Sequence, residues 1–331
     1  MNEKRDLSEK SHKKSILIIV LILFLLCVLV GGAYYWRNKN IKTSTSQDPA
    51  TTATYQTKTG DNWVKSSKVV FNDVTSSDTH KLDDGTYRMF FMKGGNLVYA
   101  DLADGANFSE IKQTGISREA NLLISNPAVL KIKDNSWIMV YEQKPLPMPG
   151  GGSEETQRNL YLATSADGKS FSKAGIAIDS SKQDNYFASV PDLVLLPDNK
   201  VRMYYVSGGQ DIASAISSDG KIFTRENGYR LRNKAVDPDV LIKTENGKTK
   251  WVMYHSVLSG AGNQLYKATS TDGTLWTEGQ PVLTPSDSSN MIVDPDVIQT
   301  GDGKYKMFYG EGALDGSQLN LYSADCVQEI F

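Results

Sequence analysis

The chain has 331 residues, of which 40% are hydrophobic and 22% are charged. This length and composition are typical of one large globular domain or two small ones, and they exclude a chain that is disordered throughout. The formal net charge is −2, and residues 1–42 carry +5, so the remainder carries −7. An acidic remainder argues against nucleic acid as a partner.

The first predicted element is an apolar segment from Ile16 to Val30, extended to twenty residues by Tyr35. At about 1.5 Å per residue it spans roughly 30 Å, the hydrocarbon thickness of a bilayer. Five basic residues precede it and three follow it, which places the N-terminus in the cytoplasm. We predict a cytoplasmic tail over residues 1–14 and a single transmembrane helix over residues 15–36. A cleaved signal peptide is the alternative, although no clear A-x-A site follows.

Residues 37–58 are rich in Thr and Ser and lack apolar periodicity, which is typical of a flexible, solvated linker. We therefore expect a cell-membrane protein with one span and a domain outside the cell. Of the two cysteines, Cys27 lies in the apolar segment and Cys326 lies near the C-terminus. No disulfide can join them across the outer domain, so the stability of that domain must come from its core.

From residue 59 onward the sequence repeats itself five times, and a hairpin motif with a Met in register marks each repeat. The motifs are YRMFF at 87–91, WIMVY at 137–141, VRMYY at 201–205, WVMYH at 251–255 and YKMFY at 305–309. A turn of the form DGxx(F/W) follows each of the first four, at 104–108, 167–171, 219–223 and 272–276. Each unit is thus four strands, and we interpret the Met, the aromatics and the DG turns as structural.

The fifth unit lacks its last turn and strand, and the missing piece lies at the start of the domain. GDNWVKSSKVVF, from Gly60, has the Gly-x-x-Trp spacing of GTLWTEGQPVLT, from Gly273. A propeller closes its ring with such a strand and so removes its exposed edges. The sequence predicts an all-β, five-bladed β-propeller over residues 59–331, closed by an N-terminal strand.

The candidate site residues come from two places that meet on one face of a propeller. The first is the opening of the inner strand, which is SSDT, NPAV, VPDL, DPDV and DPDV in the five blades. Its third position is Asp78, Ala128, Asp192, Asp239 and Asp296. Because side chains alternate along a strand, the first position should face the same side, which adds Asp237 and Asp294. Asn126 is a further candidate, close to Ala128 in blade 2.

Two explanations of these carboxylates remain open at this stage. Each Asp could accept a hydrogen bond from a neighbouring backbone N–H and so connect the blades. Alternatively, the carboxylates form a site, because converging like charges raise one another's pKa unless a metal, a cation or a substrate is present.

The second place is the end of the second strand, which contributes Glu142, His255 and Glu311. His255 stands where the other blades have Phe or Tyr, so it interrupts the repeat at a polar residue. A lone histidine is more often a core residue than a ligand, but this interruption favours a functional role. His80, two residues after Asp78, is the other histidine outside the tail.

The ectodomain, with its DPDV…YKMFY repeats and DGxx(F/W) turns, resembles the five-bladed propeller superfamily of arabinanases, levansucrases and invertases, and especially glycoside hydrolase family 43. Such enzymes use an Asp in the first blade, an Asp in the second blade that orients the acid and tunes its pKa, and a Glu in the third blade that acts as the acid. Carried over, these positions fall at Asp78, at Ala128, and at Asp192, where a Glu would be expected. The triad is therefore incomplete.

If the protein is a glycosidase, the resemblance implies the following roles. The base would be Asp78, the acid would be one of Asp192, Glu142 and Glu311, and the tuning carboxylate would be Asp239 or Asp296. Substrate contacts would come from His80, His255, Asn126, Asp237 and Asp294. The loop at 143–158 would rise over this face, as a substrate lid or as a tolerated insertion.

We therefore predict a membrane-anchored, extracytoplasmic glycoside-hydrolase-like protein that acts as a monomer on a poly- or oligosaccharide. The alternative is a non-catalytic propeller that binds carbohydrate or another surface partner. An acid and a base facing one cavity would favour the first prediction, whereas scattered aromatics and hydrogen bonders would favour the second. A Ca²⁺ ion held by oxygen ligands in the central channel is a further alternative to catalysis.

Overall fold

A computed structural model describes residues 62–102, 107–132, 136–146, 157–180, 182–260 and 262–331. In these residues the chain forms 21 β-strands and one short 3-10 helix, Lys182–Asp184, which confirms the all-β prediction. None of the helical structure in this part of the chain is long and apolar enough to cross a membrane. The predicted tail, transmembrane helix and linker lie outside the described residues.

The strands form five antiparallel sheets, which are the blades of the predicted propeller. Two short strands come first, β1 (Val64–Lys65) and β2 (Phe71–Asn72). Blade 1 contains β3 (Ser77–Lys81), β4 (Tyr87–Lys93), β5 (Asn96–Leu102) and β6 (Lys112–Ser117). Blade 2 contains β7 (Leu122–Lys131), β8 (Trp137–Pro145), β9 (Asn159–Ser165) and β10 (Ser172–Ile178).

The remaining blades repeat the same order of strands. Blade 3 contains β11 (Ala188–Leu195), β12 (Val201–Ser207), β13 (Asp211–Ser217) and β14 (Thr224–Arg225). Blade 4 contains β15 (Ala235–Glu245), β16 (Lys248–Val257), β17 (Gln264–Ser270) and β18 (Thr277–Leu283). Blade 5 takes β19 (Asn290–Gly301), β20 (Lys304–Ala313) and β21 (Asn320–Cys326) from the end of the chain.

The N-terminal strands complete blade 5, as predicted. Val64 of β1 is paired with Asp325 of β21, and β2 pairs with the other half of the same strand. Trp63, just before β1, packs edge-on against Tyr254 of blade 4 at 5.7 Å between ring centroids. The closing segment thus hydrogen-bonds to one blade and packs against the next, which closes the ring.

The core consists of apolar layers between neighbouring blades. The Met of every hairpin motif has no exposed surface, and each of the five apolar clusters contains one of them. In the layer between blades 2 and 3, for example, Ile138 and Val140 pack with Met203 and Tyr205. This confirms the interpretation of the repeated Met and aromatic residues as packing residues.

The DG turns are structural as well. In blade 2, Asp167 accepts hydrogen bonds from the backbone N–H groups of Lys169 (2.8 Å) and Ser170 (2.9 Å). Gly168 has φ +66°, and a Cβ there would lie 2.7 Å from Trp137. The turns at Asp219 and Asp272 make the same bonds, whereas most of the turn at 104–108 lies outside the described residues.

Candidate active site at the mouth of the central channel

The inner strands β3, β7, β11, β15 and β19 contact one another in a ring around the propeller axis. Their first residues line a channel cavity of about 20 Å³, together with four prolines; the carboxylates in this lining are Asp78, Asp192, Asp237, Asp239 and Asp294. The structure therefore brings these predicted residues together. A cavity of this volume holds about one water, so a sugar can lie only across its mouth.

Four of the inner strands begin with a β-bulge. The register of β7, β11, β15 and β19 shifts between the residue before the motif and its third position. The first-position residues Asn126, Val190, Asp237 and Asp294 have φ between +41° and +54°, which Asn and Asp adopt more readily than other residues that carry a side chain. The bulge interrupts the simple alternation of side chains and gives the first and third positions different partners, although Asp237 and Asp239 both line the channel cavity.

The third-position carboxylates form hydrogen bonds from blade to blade. Asp192 accepts the N–H of Val240 in the next blade at 2.9 Å, and Asp239 accepts that of Val297 at 3.2 Å. In the same way, Asp296 accepts a hydrogen bond from the backbone N–H of Thr79 at 3.1 Å, and Asp78 accepts one from the backbone N–H of Val129. Ala128 has no such group. These bonds are the structural explanation that the sequence left open.

We call the four third-position carboxylates, Asp78, Asp192, Asp239 and Asp296, the lower carboxylates. Burial and repulsion by neighbouring charges raise the pKa of three of them, Asp192, Asp239 and Asp296. The pKa of Asp192 rises to about 8, first through burial and then through the charge of Asp78. The pKa of Asp296 rises to about 6 for the same reasons, and that of Asp239 lies well above its ordinary value. His80 Nε2 lies 2.9 Å from Asp78 Oδ1. Burial opposes the charged imidazolium, but Asp78 outweighs it, so the pKa of His80 is raised.

The first-position carboxylates Asp237 and Asp294 form a second group. Asp237 accepts the backbone N–H of Asp294, and burial raises the pKa of Asp237 to about 6. The pKa of Asp294 lies well above its ordinary value because of burial and the nearby charge of Asp237, although the Thr75 hydroxyl hydrogen-bonds to it. Both side chains are half-buried and line the cavity. Both carboxyls therefore keep their protons to a higher pH than an ordinary aspartic acid does.

Glu142 is the third carboxylate of this group, and its charge also acts on Asp237 and Asp294. Its side chain is 1% exposed and is held by Asn126 Nδ2 at 2.8 Å, Arg158 Nη1 at 3.2 Å and Lys144 Nζ at 3.4 Å. The Ser189 hydroxyl from blade 3 also donates to it. The sequence indicated Glu142 and Asn126, but no repeat marks Arg158 or Ser189.

Two predicted residues lie away from this group. Glu311 is bound by Lys65 Nζ at 3.0 Å and by Ser286, at the junction of blades 4 and 5. His255 has no exposed surface, packs against the Tyr266 ring at 6.0 Å, and has a pKa lowered to about 4 by burial. Within the described residues, neither side chain lines the channel cavity, and their predicted roles stay predictions.

A larger depression adjoins the mouth. The blade-1 groove, as we call it, has a volume of about 260 Å³ and is lined by Asp73, Val74, Thr75, Ser76, Met92, Ser125, Asn126, Gly316, Gln318 and Leu319. Ser76 lines both it and the channel cavity. Thr75 contacts Asp294, and Asn126 contacts Glu142. A site that begins at the paired carboxylates therefore continues into this groove.

The residues do not fit the predicted Ca²⁺ as direct ligands. In the part of the chain that the structure describes, no three His, Cys, Asp or Glu side chains are placed to hold one metal ion. Instead, each of the lower carboxylates accepts a hydrogen bond from a backbone N–H group of the next blade. No chemical step below depends on a Ca²⁺ ion.

No family model matches the sequence, and no curated protein is significantly similar to it. Solved structures, however, match its fold. A thermostable family-43 glycoside hydrolase aligns with a TM-score of 0.57 at 13% identity, over 79% of this chain and 91% of that one. An α-L-arabinanase of Cellvibrio cellulosa, solved with arabinohexaose, aligns with a TM-score of 0.57 at 11% identity, over 77% of this chain and 91% of that one.

A family-62 hydrolase solved with xylotriose aligns with a TM-score of 0.60 at 12% identity, over 80% of this chain and 97% of that one. The chain has the fold of the five-bladed glycoside hydrolases. This confirms the resemblance at the level of the fold. Because the identities are 11–13%, the match shows the fold and assigns no role to any residue of this chain.

Proposed function

We propose that the protein is a glycoside hydrolase whose active site lies at the mouth of the central channel. The observation that carries this proposal is the pair of half-buried carboxyls, Asp237 and Asp294, on a cavity that opens to the blade-1 groove. Glycosidases need one protonated and one ionised carboxyl on either side of the scissile bond. The fold, shared with glycoside hydrolases, supports the same conclusion.

The environments of the two carboxyls suggest their roles. Asp294, with its pKa raised well above the ordinary value, would donate its proton to the glycosidic oxygen as the bond to the leaving sugar breaks. Asp237, with a pKa of about 6, would supply the carboxylate that acts on water or on the anomeric carbon. Glu142, fixed between Arg158 and Lys144, would hold the proton on Asp294 by its negative charge.

This assignment differs from the roles implied by the resemblance, in which Asp78 is the base and Asp192 a candidate acid. Both of those side chains accept a backbone N–H of the next blade, which supports a structural role. The distinction can be measured. Asp294→Asn should lower kcat at least about a hundredfold without loss of stability, whereas Asp78→Asn should affect mainly stability.

The test is a screen of the full-length protein for hydrolysis of arabino-, xylo- and cello-oligosaccharides and aryl glycosides. Asp237→Asn and Asp294→Asn should abolish turnover, and Asp302→Asn, an exposed residue at the opposite end of the inner strand of blade 5, should not. Full turnover in both site variants would refute the proposed site. No turnover by the wild type on any substrate would refute the hydrolase.

The second candidate function is carbohydrate binding without catalysis. Ala128 favours it, because it occupies the third position of blade 2, where the other four blades have Asp and the resemblance places a catalytic carboxylate. Its signature would be oligosaccharide binding, measured by calorimetry, without turnover and unchanged in Asp294→Asn.

We also propose that this site faces the outside of the cell, on a monomer anchored by the helix over residues 15–36. The apolar length of that segment and the basic residues before it support the proposal. Protease added to intact cells should digest the propeller and spare the tail. Protection of the propeller, or release of the whole chain by alkaline carbonate, would refute the anchored topology.

A further inference from the structure

A second depression lies on the same face, at blades 3 and 4. It has a volume of about 670 Å³ and is lined by Asn185, Phe187, Gly208, Gly209, Gln210, Lys234, Leu258, Ser259, Gly260 and Asn263. These residues precede the inner strands β11 and β15 or join the second strand of a blade to the third. Both kinds of connection lie at the mouth end of a blade. We call this depression the blade-3 groove.

The two grooves lie on opposite sides of the mouth. The blade-1 groove is lined by the connections of blades 5, 1 and 2, and the blade-3 groove by those of blades 3 and 4. Because the blades follow one another around the axis, together the grooves account for all five. Asp237 and Asp294 line the channel cavity between the two grooves. A ligand that occupied both grooves would therefore pass over the two carboxyls.

Direct contacts connect the blade-3 groove to the carboxylates. The guanidinium of Arg158 lies 4.2 Å from the centroid of the Phe187 ring, and its Nη1 donates to Glu142 at 3.2 Å. Ser189, two residues after Phe187, donates to the other oxygen of Glu142. The half-buried Phe187 thus contacts Arg158, which also binds Glu142.

The lining of the blade-3 groove suits an uncharged sugar. It offers one half-buried aromatic ring, the side-chain amides of Asn185, Gln210 and Asn263, and Lys234 as its single charged group. Rings of this kind pack against the C–H faces of sugars, while amides bond hydroxyl groups. Gly208 and Gly209, with φ of +63° and +73°, expose the backbone to a ligand.

The backbone around the groove is unusual as well. Four residues other than glycine have left-handed φ values here, between +50° and +76°; they are Asn185, Tyr186, Asn233 and Lys234. Such conformations concentrate where a chain is shaped to hold a ligand.

We propose that the blade-3 groove binds sugar units of the same chain whose scissile bond lies at Asp237 and Asp294. The substrate is then an internal stretch of a linear, uncharged polysaccharide, and cleavage is of the endo type. This inference rests on the proposed function, because it assumes that the carboxyl pair marks the bond that is cut. It names a substrate class and a cleavage position that the fold alone does not provide.

The experiment is a length series. Affinities of the full-length protein for arabino- and xylo-oligosaccharides of two to eight units are measured by calorimetry with Asp294→Asn, which prevents turnover. Affinity should rise with length until both grooves are filled. Phe187→Ala and, separately, Gln210→Ala should weaken binding of the longest oligosaccharides about tenfold and leave the trisaccharides unchanged. Ile222→Ala is the control, since this apolar side chain in the DG turn of blade 3 is 76% exposed and does not line the groove.

Each outcome decides something different. A flat length series, or equal losses for short and long ligands in Gln210→Ala, would overturn the blade-3 groove while leaving the carboxyl pair untouched. Length-dependent binding without turnover by the wild type would retain the groove and refute the hydrolase. Phe187 also contacts Arg158, so Phe187→Ala could fail to fold. Gln210 is an exposed turn residue, and Gln210→Ala therefore tests the groove independently. No binding to any oligosaccharide of either series would overturn both proposals.

Discussion

Asp296 provides a direct test of the idea that the lower carboxylates connect the blades while repelling one another. Its side chain is 3% exposed and accepts hydrogen bonds from Thr79 N (3.1 Å), Ser77 Oγ (2.7 Å) and Thr79 Oγ1 (2.6 Å). Its pKa rises from 3.8 to about 6 on folding. The group therefore stabilises the fold as a hydrogen-bond acceptor and destabilises it as a charge.

The magnitude follows from these values. A carboxyl with its pKa raised on folding disfavours the folded state once it ionises, so this destabilisation grows as the pH rises from about 4 through 6. At pH 8 it amounts to at most about 3 kcal/mol. Asp296→Asn keeps the acceptor for Thr79 N–H and removes the charge. Its free energy of unfolding should match the wild type within about 1 kcal/mol at pH 4.5 and exceed it by up to about 3 kcal/mol at pH 8.

The assay is urea denaturation at the two pH values, with Asp296→Ala as a second variant. Alanine also removes the charge, but it leaves the buried Thr79 N–H without a partner. It should therefore be less stable than Asn by about 1–3 kcal/mol at both pH values. The exposed Asp302→Asn is the control for pH alone. If Asp296→Asn changed stability equally at pH 4.5 and pH 8, the raised pKa of Asp296, which comes from burial and from the charge of Asp78, would be refuted.

Three further predictions concern the site, a turn and the closure. If Asp237 and Asp294 are the catalytic pair, kcat/KM should rise with pH through about 6, because Asp237 ionises there. It should fall at higher pH, because Asp294 then loses its proton. A pH-independent profile would contradict this assignment. Gly273→Ala, where a Cβ would lie 2.7 Å from Arg202 Nη1, should lower Tm more than Gly303→Ala, which has nothing within 4 Å, and equal losses would contradict the close packing of the turn. Trp63→Ala should destabilise the propeller by about 3 kcal/mol in urea denaturation, because Trp63 packs against Tyr254 in the closing contact.

The sequence by itself determined the architecture. Each unit carries apolar residues that a single four-stranded sheet cannot bury, so the five copies must pack against one another. The spacing of Trp63 and the missing last strand of the fifth unit were enough to predict the closure that β1 and β21 form. The repeat also located Asp237, Asp294 and Glu142, because it aligns the positions where the blades meet the channel.

Only the tertiary structure showed that the two carboxylates of the DPDV motif in blade 4 have different surroundings. Asp237 and Asp239 are both Asp residues two positions apart, and strand alternation predicts one common role. The bulge at Asp237 and the N–H of Val297 in the neighbouring blade give them different partners. Since those partners come from blade 5, no local pattern could have predicted the difference.

The same holds for the surroundings of Glu142, whose partners Arg158 and Ser189 follow it by 16 and 47 residues. Neither residue belongs to a repeated motif, so the alignment of the blades could not find them. The composition and the repeat of the sequence indicate which side chains must be buried, and the need to bury them determines the fold. The charge and hydrogen bonding at a site depend on which blades meet, and that is decided only when the ring closes.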